Sequence, residues 1–104
     1  EIPNNRRLIS SMLLNGYITC IERGKFLDAL YFEKRLNQCF FTETEIYERL
    51  VFQYAQYLYR YKKEMDCKAI IEMRKCIGAM KLAGSNHLAK NYEGHLEKIL
   101  ADKG

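Results

Sequence analysis

Apolar residues recur three and four positions apart along almost the whole chain, and breakers interrupt them at intervals that leave five segments of helical length. A stripe with that period is buried by a helix and cannot be buried by a strand, whose side chains alternate at every second residue. One proline and six glycines among 104 residues also supply too few turns for an all-β fold. The spacing therefore predicts an all-α protein forming a single domain over residues 1–104. A hydrophobic fraction of 48% and a charged fraction of 29% suit a folded globular chain.

Asn4 or Asn5 can cap a first helix that runs to about Glu22, with Leu8, Ile9, Met12, Leu13, Gly16, Tyr17 and Cys20 on its stripe. Gly24 ends it. A second helix is expected from about Lys25 to Gln38. Thr42 and Glu45 stand in capping-box spacing ahead of a third that passes through "LVFQYAQYLYRYKK" to about Lys62. Asp66 can cap a fourth from Cys67 to Leu82, stopped by Gly84. Ser85 or Asn86 opens a fifth that ends near Leu100, with "ADKG" as a fraying tail.

The second and fourth segments echo one another. "GKFLDALYFEKRL" and "EMDCKAIIEMRKC" align at an offset of 40 residues, with Ala29 over Ala69, Leu30 over Ile70, Arg35 over Lys75 and Leu36 over Cys76. A small residue in the early turns lets a neighbouring helix come close, which is its use in helical-repeat arrays. Gly16 points the same way, since a glycine inside a helix costs about 1 kcal/mol relative to alanine and calls for a close crossing. About five antiparallel helices are expected, stacked as a short α-solenoid or an irregular bundle.

The remaining composition excludes several functions. The net charge of +4 arises from 17 basic and 13 acidic residues, and the basic clusters fall in different segments or beside acids, so this chain is not expected to contact DNA itself. Cys20, Cys39, Cys67 and Cys76 form no CxxC pair and sit among apolar neighbours, which suits reduced, buried thiols in the cytoplasm. No apolar run is long enough to span a bilayer. His87 and His95 lie about two helical turns apart, no HExxH or glycine-rich phosphate loop occurs, and Glu43, Glu45 and Glu48 fit a negatively charged first turn. Neither an enzyme nor a cofactor or metal site is expected. The opening "EIPNN" enters a helix almost at once without an initiating Met, which suits a piece of a longer protein.

The segment "GKFLDALYFEKRL", the third helix and the closing "CIGAMKLAGSNHLAKNYEGHLEKIL" resemble the last part of the Rgg/GadR/MutR family of transcriptional regulators from Gram-positive bacteria. The residues that carry the resemblance are Gly24, Phe26, Ala29 and Leu30, then Ile77, Gly84, Leu88, Ala89, Tyr92, Leu96 and Ile99. It implies tetratricopeptide-like helix pairs that bind short signalling peptides and support homodimerisation. It also implies a helix-turn-helix DNA-binding domain upstream, so that DNA is reached only through a part of the regulator that this chain lacks. Such a regulator acts in the cytoplasm on peptides that have entered the cell.

On the third helix Tyr47, Tyr54 and Tyr61 recur every seven residues, with Val51, Tyr57 and Leu58 broadening the same side. These aromatics are either core residues whose hydroxyls reach the rim or, for two or three of them, the lining of a concave surface. An extended peptide needs its backbone groups answered, and Asn15, Asn37 and Gln53 offer amides that donate and accept. Arg60 or Lys63 can pair with a peptide carboxylate. The candidate peptide-binding residues are thus Asn15, Asn37, Gln53, Tyr54, Tyr57, Arg60 and Tyr61. Leu82, Leu88, Tyr92, Leu96 and Ile99 form a stripe, with His95 beside it, that either closes the core or meets a two-fold copy. The alternative to peptide sensing is a helical-repeat module that binds a folded protein partner.

Overall fold

The computed structural model describes residues 2–39 and 46–103, with side chains described for 11–38 and 46–101. Five α-helices account for nearly all of them: α1 Ile2–Glu22, α2 Phe26–Cys39, α3 Ile46–Glu64, α4 Lys68–Leu82 and α5 Asn86–Lys103. The inner boundaries fall within one or two residues of the sequence expectation, as where α3 runs past Lys62 to Glu64 and α4 begins at Lys68, and the start of α1 and the end of α5 also differ from it. The first helix begins at Ile2 and includes Asn4 and Asn5, because Pro3 in a first turn lacks only an N–H that would have no helical partner. The last continues through Ala101 and Lys103, both good helix formers, where a fraying tail was expected. Thr42 and Glu45, the expected capping box, lie outside the described residues.

The connections follow from backbone chemistry. Gly24 and Gly84 take positive φ, 76° and 97°, and each closes a helix. The Gly24 N–H donates to the Ile21 carbonyl and the Lys25 N–H to Cys20; the Gly84 N–H donates to Lys81 and the Ser85 N–H to Met80. This paired pattern is the Schellman motif, which satisfies carbonyls that the last helical turn leaves open. Between α3 and α4 the left-handed position falls instead on Met65, φ 56°. α4 begins at Lys68, with Cys67 and not Asp66 at its N-cap and no side chain capping it; Asp66 accepts from the Lys68 N–H at 3.0 Å from one residue further out.

The helices pack α1 on α2, α1 on α3, α3 on α4 and α4 on α5. Overall extents of 46 × 32 × 17 Å leave room for about two layers of helices in the thin direction. One core runs through them, with Tyr17 and Ile21 of α1, Ala29 and Leu36 of α2, Tyr54, Ala55 and Leu58 of α3, Met73 and Met80 of α4, and Ala89 and Leu96 of α5 all buried. Gly16 serves the close crossing expected of it: a Cβ there would come within 2.7 Å of the Phe32 ring on α2. Of the cysteines, Cys76 is buried and Cys20 half-buried, while Cys67, expected to be buried, is exposed in the turn ahead of α4.

Candidate ligand-binding face

α3 sits between the other helices, and its aromatic crowding follows from having two sides to fill. Toward α1 and α2 it presents Phe52, 5.9 Å from the Tyr17 ring, and Tyr59, 5.5 Å from Phe26. On the same side the Gln56 amide donates to the Glu33 carboxylate at 2.8 Å. Toward α4 and α5 it presents Tyr47, whose hydroxyl donates to the Ala83 carbonyl at 2.8 Å, and Tyr54, stacked edge-on to Tyr92 at 4.8 Å.

A third stripe remains for solvent. Gln53, Tyr57 and Arg60 follow one another at i, i+4 and i+7, so they share one azimuth of α3. Gln53 and Arg60 are exposed and Tyr57 is half-buried. The Arg60 guanidinium lies over the Tyr57 ring, 5.5 Å from its centroid, which holds a flat aromatic surface and a cation together at the rim.

A chain of hydrogen bonds joins three of the helices. Tyr54 of α3 meets His95 Nδ1 of α5 at 2.7 Å, and His95 Nε2 meets the carboxylate of Glu22 at the end of α1. With a neutral imidazole beside an ionised carboxylate, every group is satisfied when Nε2–H donates to Glu22 and the Tyr54 hydroxyl donates to Nδ1. Burial first, then the neighbouring Tyr92 and Glu22, hold the Tyr54 phenol above its ordinary range, so it keeps its proton. The network grades outward, from fully buried Tyr54 to a Glu22 side chain that is 41% exposed.

The structure brings Gln53, Tyr57 and Arg60 together on α3. Asn15 is exposed on the adjoining α1, seven residues and two turns before Glu22 on the same stripe, whereas Asn37 is exposed on α2, apart from them. Tyr54 and Tyr61, expected on a ligand-lining surface, are buried in the chain's own core because they share an azimuth with Val51 and Leu58. Of the stripe expected to close the core or meet a second copy, Leu96 is only 2% exposed and Ile99 is buried, so both fill this chain's interior. Leu88 and Tyr92 are half-buried, while Leu82 is 92% exposed.

The Glu22–His95 pair spans 73 residues. Only His95 at the edge of an apolar stripe hinted at it, since a half-buried imidazole requires partners. Among the described residues no three His, Cys, Asp or Glu side chains stand together as a metal set, and no helix is long and apolar enough to cross a membrane. Residues 1–94 match the family model described as "HTH-type transcriptional regulator Rgg, C-terminal domain".

Proposed function

We propose that this chain, which belongs to the family of C-terminal domains of HTH-type transcriptional regulators Rgg, senses a short signalling peptide and pairs with a second copy of itself. The family is regulatory, and the chain is not an enzyme. The observation that carries the peptide reading is the α3 stripe of exposed Gln53, half-buried Tyr57 and exposed Arg60, with the Arg60 guanidinium over the Tyr57 ring. Amides answer the backbone of an extended peptide, the Tyr57 ring offers rigid contact area, and Arg60 suits a carboxylate. The tetratricopeptide-like stacking of the helices is part of this reading, supported by the turn that recurs between Gly24 and Gly84. So is the assignment of DNA contact to another domain of a cytoplasmic regulator.

The test is the affinity of the chain for a pool of random octapeptides, compared with Gln53→Ala, Tyr57→Ala and Arg60→Ala. Each substitution is expected to weaken binding by about fivefold or more while leaving the helical circular dichroism intact. Absence of binding to the wild type, or equal binding by all variants, contradicts the reading.

The homodimer draws on Leu82, since Leu96 and Ile99 are committed to the core. Light scattering of Leu82→Asp is expected to show a folded monomer where the wild type is a dimer. A second reading, docking of a folded protein, is favoured by Leu27, Leu30 and Tyr31, which put an exposed apolar stripe on the outside of α2.

A further inference from the structure

We propose that His95 Nε2 is a carboxylate-binding position, occupied by Glu22 in the free chain and taken over by a carboxylate of the ligand. The proposal rests on the peptide-sensing reading and adds to it which ligand group is recognised and which internal group it displaces. The imidazole is oriented from behind: Tyr54, fully buried, holds Nδ1, and the rings of Tyr54 and Tyr92 stand edge-on to His95 at 5.7 and 6.1 Å. Nε2 is left facing Glu22, the last residue of α1 and an exposed one.

An ion pair or charged hydrogen bond this exposed holds its partner weakly, so one carboxylate replaces another at little cost, and the acceptor position is already built. The surroundings favour an anion. Asn91 and Lys98, four residues before and three after His95, supply an exposed amide and an exposed ammonium on the same side of α5. The two acids of α5, Glu93 and exposed Glu97, each stand two residues from His95 and so on another azimuth of the helix, and Glu93 is engaged with Lys81 at 2.8 Å. The titratable groups facing the imidazole are Glu22 from α1, Tyr54 from α3 and Tyr92 from α5 itself. Gln53 directly precedes Tyr54 on α3, about 100° around the helix from the side chain that holds Nδ1.

Three pools of octapeptides separate the sources of the carboxylate: one free of acidic residues with a free C-terminus, the same pool amidated, and an amidated pool carrying one aspartate. Glu22→Ala removes the internal competitor. It is expected to tighten binding of the free-carboxylate pool by about two- to fivefold and to leave the neutral amidated pool unchanged. Tightening with the aspartate pool alone would assign the position to an acidic side chain rather than the peptide terminus. The His95 Nε2 nitrogen resonance of the wild type is expected to move with a carboxylate-bearing pool and to stay with the neutral one.

Binding of the free-carboxylate and aspartate pools that Glu22→Ala leaves unchanged or weakens overturns the proposal. If no pool binds the wild type, the peptide reading itself fails, and acetate titrated into Glu22→Ala then decides the carboxylate position. A saturable shift at His95 Nε2 upholds it, and its absence overturns it.

Discussion

The α1–α2 turn and the α4–α5 turn run through the same hydrogen bonds at an offset of 60 residues. Arg23, Gly24, Lys25 and Ala29 donate to Thr19, Ile21, Cys20 and Lys25, and Ala83, Gly84, Ser85 and Ala89 donate to the equivalent Ala79, Lys81, Met80 and Ser85. The inward positions agree as well: Ala29 and Ala89 are buried, as are Leu36 and Leu96, and Glu33 and Glu93 each accept from a neighbouring helix. Outward they part company. Leu27, Leu30 and Tyr31 on α2 correspond to His87, Lys90 and Asn91 on α5, and Leu27 is 84% exposed. Turn and core thus repeat as one unit, while the outer face of each hairpin is left free to take a different task.

The deepest break in that equivalence would come from the core leucines. Leu36→Ala and Leu96→Ala are each expected to cost about 2 to 5 kcal/mol in chemical denaturation, and by similar amounts. A much cheaper Leu36→Ala would mean that α2 is held less firmly than α5.

Alkaline pH should separate the hairpins, because position 16 is glycine where its counterpart is the buried Cys76. Burial, then Glu72, pushes the Cys76 thiol from an ordinary 9.0 up to about 11. Below pH 9 the thiol is protonated whether or not the chain is folded. Between pH 9 and 11 the unfolded chain sheds a proton that the folded chain keeps, so stability falls as pH rises, by at most about 3 kcal/mol from this thiol. Cys76→Ala should remove this share of the loss, most plainly between pH 9 and 10, before the raised phenols of Tyr17, Tyr54 and Tyr92 add theirs, whatever its effect on stability at neutral pH.

Glycine substitutions give a finer comparison. Gly16→Ala should destabilise by about 1 to 3 kcal/mol, since its Cβ meets the Phe32 ring. Gly78→Ala and Gly94→Ala, where nothing stands within 4 Å, should stabilise by up to about 1 kcal/mol. Gly24→Ala and Gly84→Ala should cost about 1 to 2 kcal/mol each, because both need positive φ. The smallest effect belongs to Leu27→Lys, expected within about 0.5 kcal/mol of wild type in thermal unfolding. A larger loss would mean that the outer face of α2 is covered.

The helices were legible in the sequence because a period of three to four residues, two glycine stops and Asp66 are local signals. The close crossing at Gly16 was legible for the same reason, as a glycine that helix propensity alone does not explain. What escaped was azimuth. Tyr54, Tyr57 and Tyr61 belong to one helix and one residue type, yet Tyr54 and Tyr61 point into the core and Tyr57 reaches the rim, a distinction set by where α4 and α5 lie. Leu96 and Leu82 divide in the same way, into core and surface. The Glu22–His95–Tyr54 network escaped because its members come from three helices and no local pattern joins them.

The central claim is that the ligand lies on the α1–α3 side and not on the apolar outside of α2. The most direct measurement is an amide and side-chain NMR shift map of the labelled chain with the tightest-binding peptide from the octapeptide pool. Shifts concentrated at Asn15, Gln53, Tyr57, Arg60 and His95, with Leu27, Leu30 and Tyr31 unmoved, are the predicted result. Shifts centred on Leu27, Leu30 and Tyr31 with the α3 stripe unmoved would contradict it.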